Sequence, residues 1–212
     1  MPADLLHLVR HGEVDNPRGI LYGRLPGYGL SDLGHRLADA SAASLAGRTI
    51  TGLFASPLQR TQESAAPWAG RYGVEIQTDD RLIEPHNRFE GRRAKFGAGL
   101  LLEPRVWPWL RNPSTPSWGE PFVDVAARMM SVVDHAWNSV DAGEVVLVSH
   151  QMPIWMVART VAGERLQHDP RKRRCSMSSI TTLKRDGGRF VEVDYQEPGR
   201  DLLAASVDFG AV

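Results

Sequence analysis

Leu5-Leu-His-Leu-Val9 is the first nearly continuous apolar run in the chain. It is short and lacks polar alternation, so it predicts a strand buried on both faces. Glycine and proline then punctuate a loop from Gly12 to Gly29. Ser31 reads as a helix N-cap, followed by Leu33, Leu37, Ala40 and Leu45 at roughly helical spacing. Gly52-Leu-Phe-Ala55 predicts a second strand. Ser56-Pro57 predicts the start of the next helix, with Ser as cap and Pro at the first helical position. Tyr72 to Gln77 reads as a third strand, Phe122 to Val140 as a long amphipathic helix, and Glu144-Val-Val-Leu-Val148 as a strongly buried strand. Met152 to Val161 resumes helix. Ser178 to Leu183 and Arg189 to Val193, separated by Asp186-Gly187-Gly188, predict a closing hairpin. Strands alternating with helices imply a three-layer α/β/α fold around a mainly parallel sheet.

Residues 85 to 120 break this rhythm. His86, Phe89, Trp107, Trp109 and Trp118 lie among glycines and prolines, which suggests a small cap inserted over one edge of the sheet. The 212 residues otherwise suffice for one domain spanning 1–212. The tryptophans are read either as a satellite core under the cap or, with Phe89, as an aromatic rim to a substrate pocket.

Composition narrows the function classes. Formal net charge is zero, so no global field favours nucleic acid or an anionic membrane. The run Arg171-Lys172-Arg173-Arg174 is accordingly read as a solvated loop. Cys175 is the only cysteine, which leaves no internal disulfide or thiolate metal cluster and fits a reducing compartment. No stretch approaches the ~20 apolar residues of a membrane helix, and Arg10 and His11 cut short the one N-terminal apolar run. The expectation is a cytoplasmic protein.

Two histidines follow strands in similar contexts, His11 in Val9-Arg10-His11-Gly12-Glu13 and His150 in Val148-Ser149-His150-Gln151. Ligand sites in open parallel sheets form at the carboxyl ends of strands, so both imidazoles are expected in one crevice. Arg60 lies in the first turn of the helix opened by Ser56-Pro57, where free backbone N–H groups favour an anion. Glu84 follows the third predicted strand in Leu82-Ile83-Glu84. His7 is read as a core residue of the first strand, and His35, His135 and His168 as surface residues.

Five ordered matches make the sequence resemble the histidine phosphatase superfamily, in its phosphoglycerate-mutase-like branch. They are Arg10-His11-Gly12-Glu13 with Asn16, Ser56 to Ala65 around Arg60, Leu82-Ile83-Glu84 continuing to Phe89-Glu90-Gly91, Gly119-Glu120 with Arg128, and Val148-Ser149-His150. The resemblance implies a phosphatase acting on a small soluble phosphomonoester. His11 would be the nucleophile, Arg10, Arg60 and His150 would hold the equatorial phosphate oxygens, and Glu84 would be the general acid and base. Asn16, Tyr22 and Gly23 would make secondary phosphate contacts. No metal or cofactor is implied, nor a nucleic-acid or membrane partner. The chain departs from the family pattern at Gln151 and Pro153 after the second histidine, at Asn87 in the acid loop, and at Pro121 after Gly119-Glu120. It also lacks the Arg-Tyr-Gly pattern of true mutases after Glu84, which favours phosphatase over mutase. A mutase-type phosphotransferase and a non-catalytic phosphate-binding regulator are the alternatives. Substrate and oligomeric state are open at this level.

Overall fold

Short apolar runs become central strands when both of their faces can be covered, and two packed helix layers provide that cover here. The computed structural model describes residues 2–92 and 119–203. In chain order the elements are β1 (Leu5–Arg10), α1 (Asp32–Ser44), β2 (Ile50–Ala55), α2 (Gln59–Tyr72), β3 (Ile76–Thr78), α3 (Phe122–Asn138), β4 (Glu144–Ser149), α4 (Gln151–Val161), β5 (Ile180–Asp186), β6 (Arg189–Gln196) and a short α5 (Arg200–Leu203).

The sheet order is β3-β2-β4-β1-β5-β6. β3, β2, β4 and β1 pair in parallel, while β5 pairs antiparallel with β1 and with β6. Side chains alternate between the two faces as the pleat requires. Leu6, Leu8, Val145 and Leu147 pack with Val125, Met129, Met156 and Val157 of α3 and α4. Val9, Leu53, Val146 and Val148 pack with Ala42, Ala65 and Trp68 of α1 and α2. The expected three-layer α/β/α architecture is therefore present, with a mostly parallel sheet.

From β1 the chain crosses β4 to reach β2 on the face covered by α1 and α2, and from β4 it crosses β1 to reach β5 on the opposite face, the α4 side. The loops at the carboxyl ends of β1 and β4 therefore leave to opposite faces, and strand ends of this kind are the usual place for a ligand in such sheets.

Local departures from the expected elements have identifiable causes. Ser31 caps α1 as predicted, accepting from Gly34 N–H at 3.0 Å. Ser56, by contrast, does not cap α2. Its N-cap is Leu58, so Pro57 lies before the helix and not at its first position; the Ser56 hydroxyl accepts from the Leu58 N–H at 3.5 Å and lies 2.9 Å from His150 Nε2. The predicted third strand shrinks to Ile76–Thr78. Tyr72 ends α2, with its hydroxyl donating to the Ala42 carbonyl, and Gly73 terminates the helix in a left-handed conformation at φ 68°. A 3-10 turn, Asp80–Leu82, separates β3 from Glu84. The β5–β6 hairpin turns on Gly187 and Gly188, both at positive φ.

Phe89 is buried at 2% exposure, so it is a packing residue and not part of an aromatic rim. Trp107, Trp109 and Trp118 lie outside the described residues, as does most of the expected cap. The expected surface character holds for His35 and His135, whereas His168 is half-buried between the rings of Phe122 and Trp155. His7 is buried and bonds Thr182 and Glu144.

Candidate active site

Arg10 ends β1 and His11 follows it, Ser149 ends β4 and His150 follows it, and Ser56 follows β2, so adjacent strand ends deliver these groups to one place. Arg10, His11, Arg60 and His150 are each no more than 3% exposed. Burying two arginines and two imidazoles is costly unless they are compensated by hydrogen bonds or an anion.

His11 is held with one nitrogen committed. Its Nδ1 lies 2.7 Å from the Gly12 carbonyl, which can only accept, so Nδ1 carries the proton and Nε2 keeps its lone pair. Burial, with Arg60 and Arg10 beside it, keeps the imidazole well below the usual histidine range, and it is neutral at physiological pH.

The backbone that carries His11 is fixed by close approach. A Cβ on Gly12 would stand 2.4 Å from the Gly34 carbonyl oxygen, and one on Gly34 would stand 2.0 Å from the Glu13 carbonyl oxygen. Only two glycines allow the loop after β1 to lie against the start of α1. Glu13 reinforces the junction by accepting from the Ser31 hydroxyl at 2.6 Å, which gives it a structural role. Ser178, the one described non-glycine residue with positive φ, donates its backbone N–H to the His11 carbonyl from the other side.

Arg10 donates through Nη1 to the Cys175 carbonyl at 2.7 Å. Arg60 donates through Nη2 to the Gly23 carbonyl at 2.8 Å and lies over the Tyr22 ring, 4.8 Å from its centroid. Its buried Nε makes no hydrogen bond within the described residues. Tyr22 and Gly23 thus set Arg60 in place, and glycine suits position 23 because its φ is 42°, with the Glu90 side chain close above its Cα. Asn16 engages Ile20 through both its amide oxygen and its amide nitrogen, which folds the loop that carries Tyr22.

His150 couples three groups. Its ring packs edge-on to His11 with centroids 5.2 Å apart. Arg60 Nη2 lies 3.3 Å from its Nδ1, and an arginine N–H can only donate, so Nε2 is the protonated nitrogen and donates to Ser56. Glu84 Oε2 lies 3.5 Å from the same Nδ1. Burial pushes the Glu84 carboxyl upward, against the opposing pull of Arg60, Arg173, Arg10 and Arg128. Burial and the neighbouring Arg60 hold His150 well below the usual histidine range, which keeps its ring neutral.

Several contributors were given no role in the site from sequence, Arg128 among them although it forms part of the fourth family match. Arg24 Nε donates to the Glu84 carbonyl at 2.6 Å. Arg128 binds Glu120 through two nitrogens and also donates to the Arg81 carbonyl, clamping α3 to the turn that leads to Glu84. Arg173 corrects the reading of 171–174 as a solvated loop. Arg171 and Arg174 pair with Asp169 and Glu192 at the surface, but Arg173 is half-buried and bonds His168 and Gln151. A four-residue basic run carries no sign of which member turns inward. Among the described residues, no group of three or more His, Cys, Asp or Glu side chains is arranged to hold a metal ion.

The fold and the cluster define a class, an α/β protein with a buried histidine–arginine cluster at the carboxyl ends of its parallel strands. Within that class the chain belongs to the histidine phosphatase superfamily (branch 1), whose sequence profile matches residues 6–198. An uncharacterised Mycobacterium tuberculosis protein, Rv0525, is 55% identical over 93% of this chain and 98% of its own. The 2,3-bisphosphoglycerate-dependent phosphoglycerate mutase of Thermoplasma acidophilum is 38% identical over 44% of this chain and 48% of its own. Among solved structures, mycobacterial glucosyl-3-phosphoglycerate phosphatase in complex with VO3 superposes with a TM-score of 0.75 at 27% identity, covering 90% of this chain and 97% of that one.

Proposed function

We propose that the protein is a cytoplasmic phosphatase that hydrolyses a small soluble phosphomonoester through a phosphohistidine on His11. In this reading the chain is one domain and residues 85–120 form its cap. One observation carries the proposal. His11 is buried and neutral, with Nδ1 committed to the Gly12 carbonyl and Nε2 left as a nucleophilic lone pair beside two buried guanidinium groups.

Nε2 attacks phosphorus in line, and the bond from phosphorus to the ester oxygen breaks as the new bond forms. Arg10 and Arg60 offset the charge on the equatorial oxygens, with His150 closing the same side. Such positioning and charge compensation is the main help a phosphoryl transfer needs. Glu84, protonated because burial raises its pKa, gives its proton to the departing oxygen. The resulting carboxylate takes a proton from water, whose oxygen attacks phosphorus, releasing phosphate and restoring His11. The arginines supply the positive charge, so the reaction as proposed needs no metal. The VO3 complex of the mycobacterial neighbour supports a site of this kind, because vanadate resembles a phosphoryl group in flight.

The test is release of inorganic phosphate from a panel of phosphomonoesters, with and without excess chelator. Release that survives chelator is expected. Loss with chelator and recovery on adding a divalent ion would contradict the metal-free step. Retention of the phosphoryl group on a phosphorylated product would favour the mutase reading, which the partial match to the Thermoplasma enzyme keeps in view.

A further inference from the structure

The segment from Cys175 to Ser179, just before β5, touches both residues that β1 delivers to the site. The Cys175 carbonyl accepts from Arg10 Nη1 at 2.7 Å, and the Ser179 carbonyl accepts from the Arg10 backbone N–H at 3.1 Å. Ser178 N–H donates to the His11 carbonyl at 3.3 Å. The sheet does not hold this segment, because the pairing of β5 with β1 and β6 begins at Ile180. Ser178 does not hold itself either. Its φ of 54° is a conformation that a non-glycine residue keeps only where its surroundings impose it, and its buried hydroxyl has no hydrogen-bond partner among the described residues. Met177 packs against Leu33 and Leu37 of α1, which fixes one side of the segment.

The other side is fixed from the end of β6 by a closed ring of three hydrogen bonds. Ser176 N–H donates to the Tyr195 hydroxyl at 3.1 Å, the Tyr195 hydroxyl donates to Glu197 Oε1 at 2.9 Å, and the Ser176 hydroxyl donates to the same oxygen at 2.6 Å. A carboxylate only accepts, so both hydroxyl protons are assigned and the ring has one arrangement. The bond from Ser176, helped by that from Tyr195, holds the Glu197 carboxyl below the usual carboxylate range. Bonds to an ionised acceptor are shorter and stronger than neutral ones. From Ser176 the constraint passes along the backbone. Its carbonyl accepts from Ser179 N–H at 3.1 Å, so fixing Ser176 fixes the turn that carries Ser178 and Ser179.

We propose that Tyr195 and Glu197 are positioning residues for the phosphoryl-transfer step, which clamp Ser176 and thereby hold the turn that sets the backbone of His11 and the side chain of Arg10. The proposal rests on the reading of His11 as the nucleophile, so its test joins turnover to two readouts that need none. The kcat on p-nitrophenyl phosphate, the dissociation constant of vanadate and the downfield Nδ1–H NMR signal of His11, assigned by its absence from His11→Ala, are measured together with Tm. Tyr195→Phe and Glu197→Ala should each lower kcat roughly tenfold, as expected of a displacement smaller than the ~1 Å that costs on the order of a hundredfold. Each should also weaken vanadate binding by a similar factor and shift the His11 signal. Glu197→Gln keeps an oxygen that accepts both bonds and should retain most of the wild-type activity. Combining Glu197→Ala with Ser176→Ala should cost no more than the larger single loss, because both break one ring. Tyr72→Phe is the control. It removes a hydroxyl bond to the Ala42 carbonyl outside the site and should lower Tm without touching the other readouts. Variants at 195 and 197 that melt earlier but match the wild type in kcat, vanadate binding and His11 signal would overturn the proposal, as would equal losses in Tyr72→Phe. A wild-type protein that turns over no phosphomonoester, while vanadate binding and the His11 signal respond to Tyr195→Phe, would leave the positioning role standing and remove the phosphatase reading instead.

Discussion

Gly12→Ala tests whether the packing of the loop after β1 is what holds the nucleophile. The added Cβ would stand 2.4 Å from the Gly34 carbonyl oxygen and 2.9 Å from its carbon, roughly 1 Å inside ordinary contact. Both neighbours are backbone, so no flexible side chain can yield. Relief requires the His11–Gly12 segment to move away from α1, and Ser178 and the sheet oppose that movement from the other side. Overpacking of this kind costs about 1–3 kcal/mol. At ~2–4 °C per kcal/mol for a chain of this size, a cost near 2 kcal/mol lowers Tm by about 4–8 °C. The catalytic effect should be larger. The Gly12 carbonyl that fixes the His11 tautomer moves with the loop, and a displacement near 1 Å can reduce kcat by on the order of a hundredfold. Gly70→Ala is the control. It lies on the exposed face of α2 with nothing within 4 Å of a new Cβ, and should gain about 1 kcal/mol without altering activity. The assay is kcat on p-nitrophenyl phosphate together with thermal melting. If Gly12→Ala retains both kcat and Tm, the close approach does not position the nucleophile and the reasoning fails.

Glu84→Gln should reduce turnover of alkyl phosphates far more than of p-nitrophenyl phosphate, whose phenolate leaves with little protonation; equal losses on both would remove Glu84 from the acid role. The His11 imidazole, followed by NMR, should titrate below the free-histidine range because burial, Arg60 and Arg10 all disfavour its cation, and titration at the ordinary value would contradict that environment. Because Glu84 must be protonated to donate, kcat should fall as pH rises through its elevated pKa, and the Glu84→Gln variant should lose that alkaline limb.

Much of the scaffold was legible because it rests on local signals. The apolar runs at Leu5–Val9 and Glu144–Val148 are too short for buried helices and read as buried strands, and His11 and His150 each come two residues after them. Ser31 as a cap and Gly187-Gly188 as a turn are likewise short-range chemistry. What failed to show was any role set by a distant partner. Ser56 has the sequence context of a helix cap, yet His150, nearly a hundred positions away, takes its hydroxyl. Glu13 is as plausible a carboxylate as Glu84 in sequence, and only the position of Ser31 makes it structural. Arg173 is indistinguishable from its basic neighbours until His168 and Gln151 are seen on either side of it. Tyr72 was misplaced in a strand because its stacking on Trp68, with ring centroids 5.9 Å apart, is a helix-face contact that strand propensity does not report.

The central claim is that His11 carries the phosphoryl group. Rapid acid-free quenching of the protein during turnover of p-nitrophenyl phosphate, followed by peptide mass spectrometry under alkaline conditions, measures it directly. A phosphoryl group on the imidazole of His11, labile to acid and stable to base, is predicted in the wild-type protein and should be absent from His11→Ala. Phosphate found on another residue, or turnover by His11→Ala at more than a small fraction of the wild-type rate, would contradict the account.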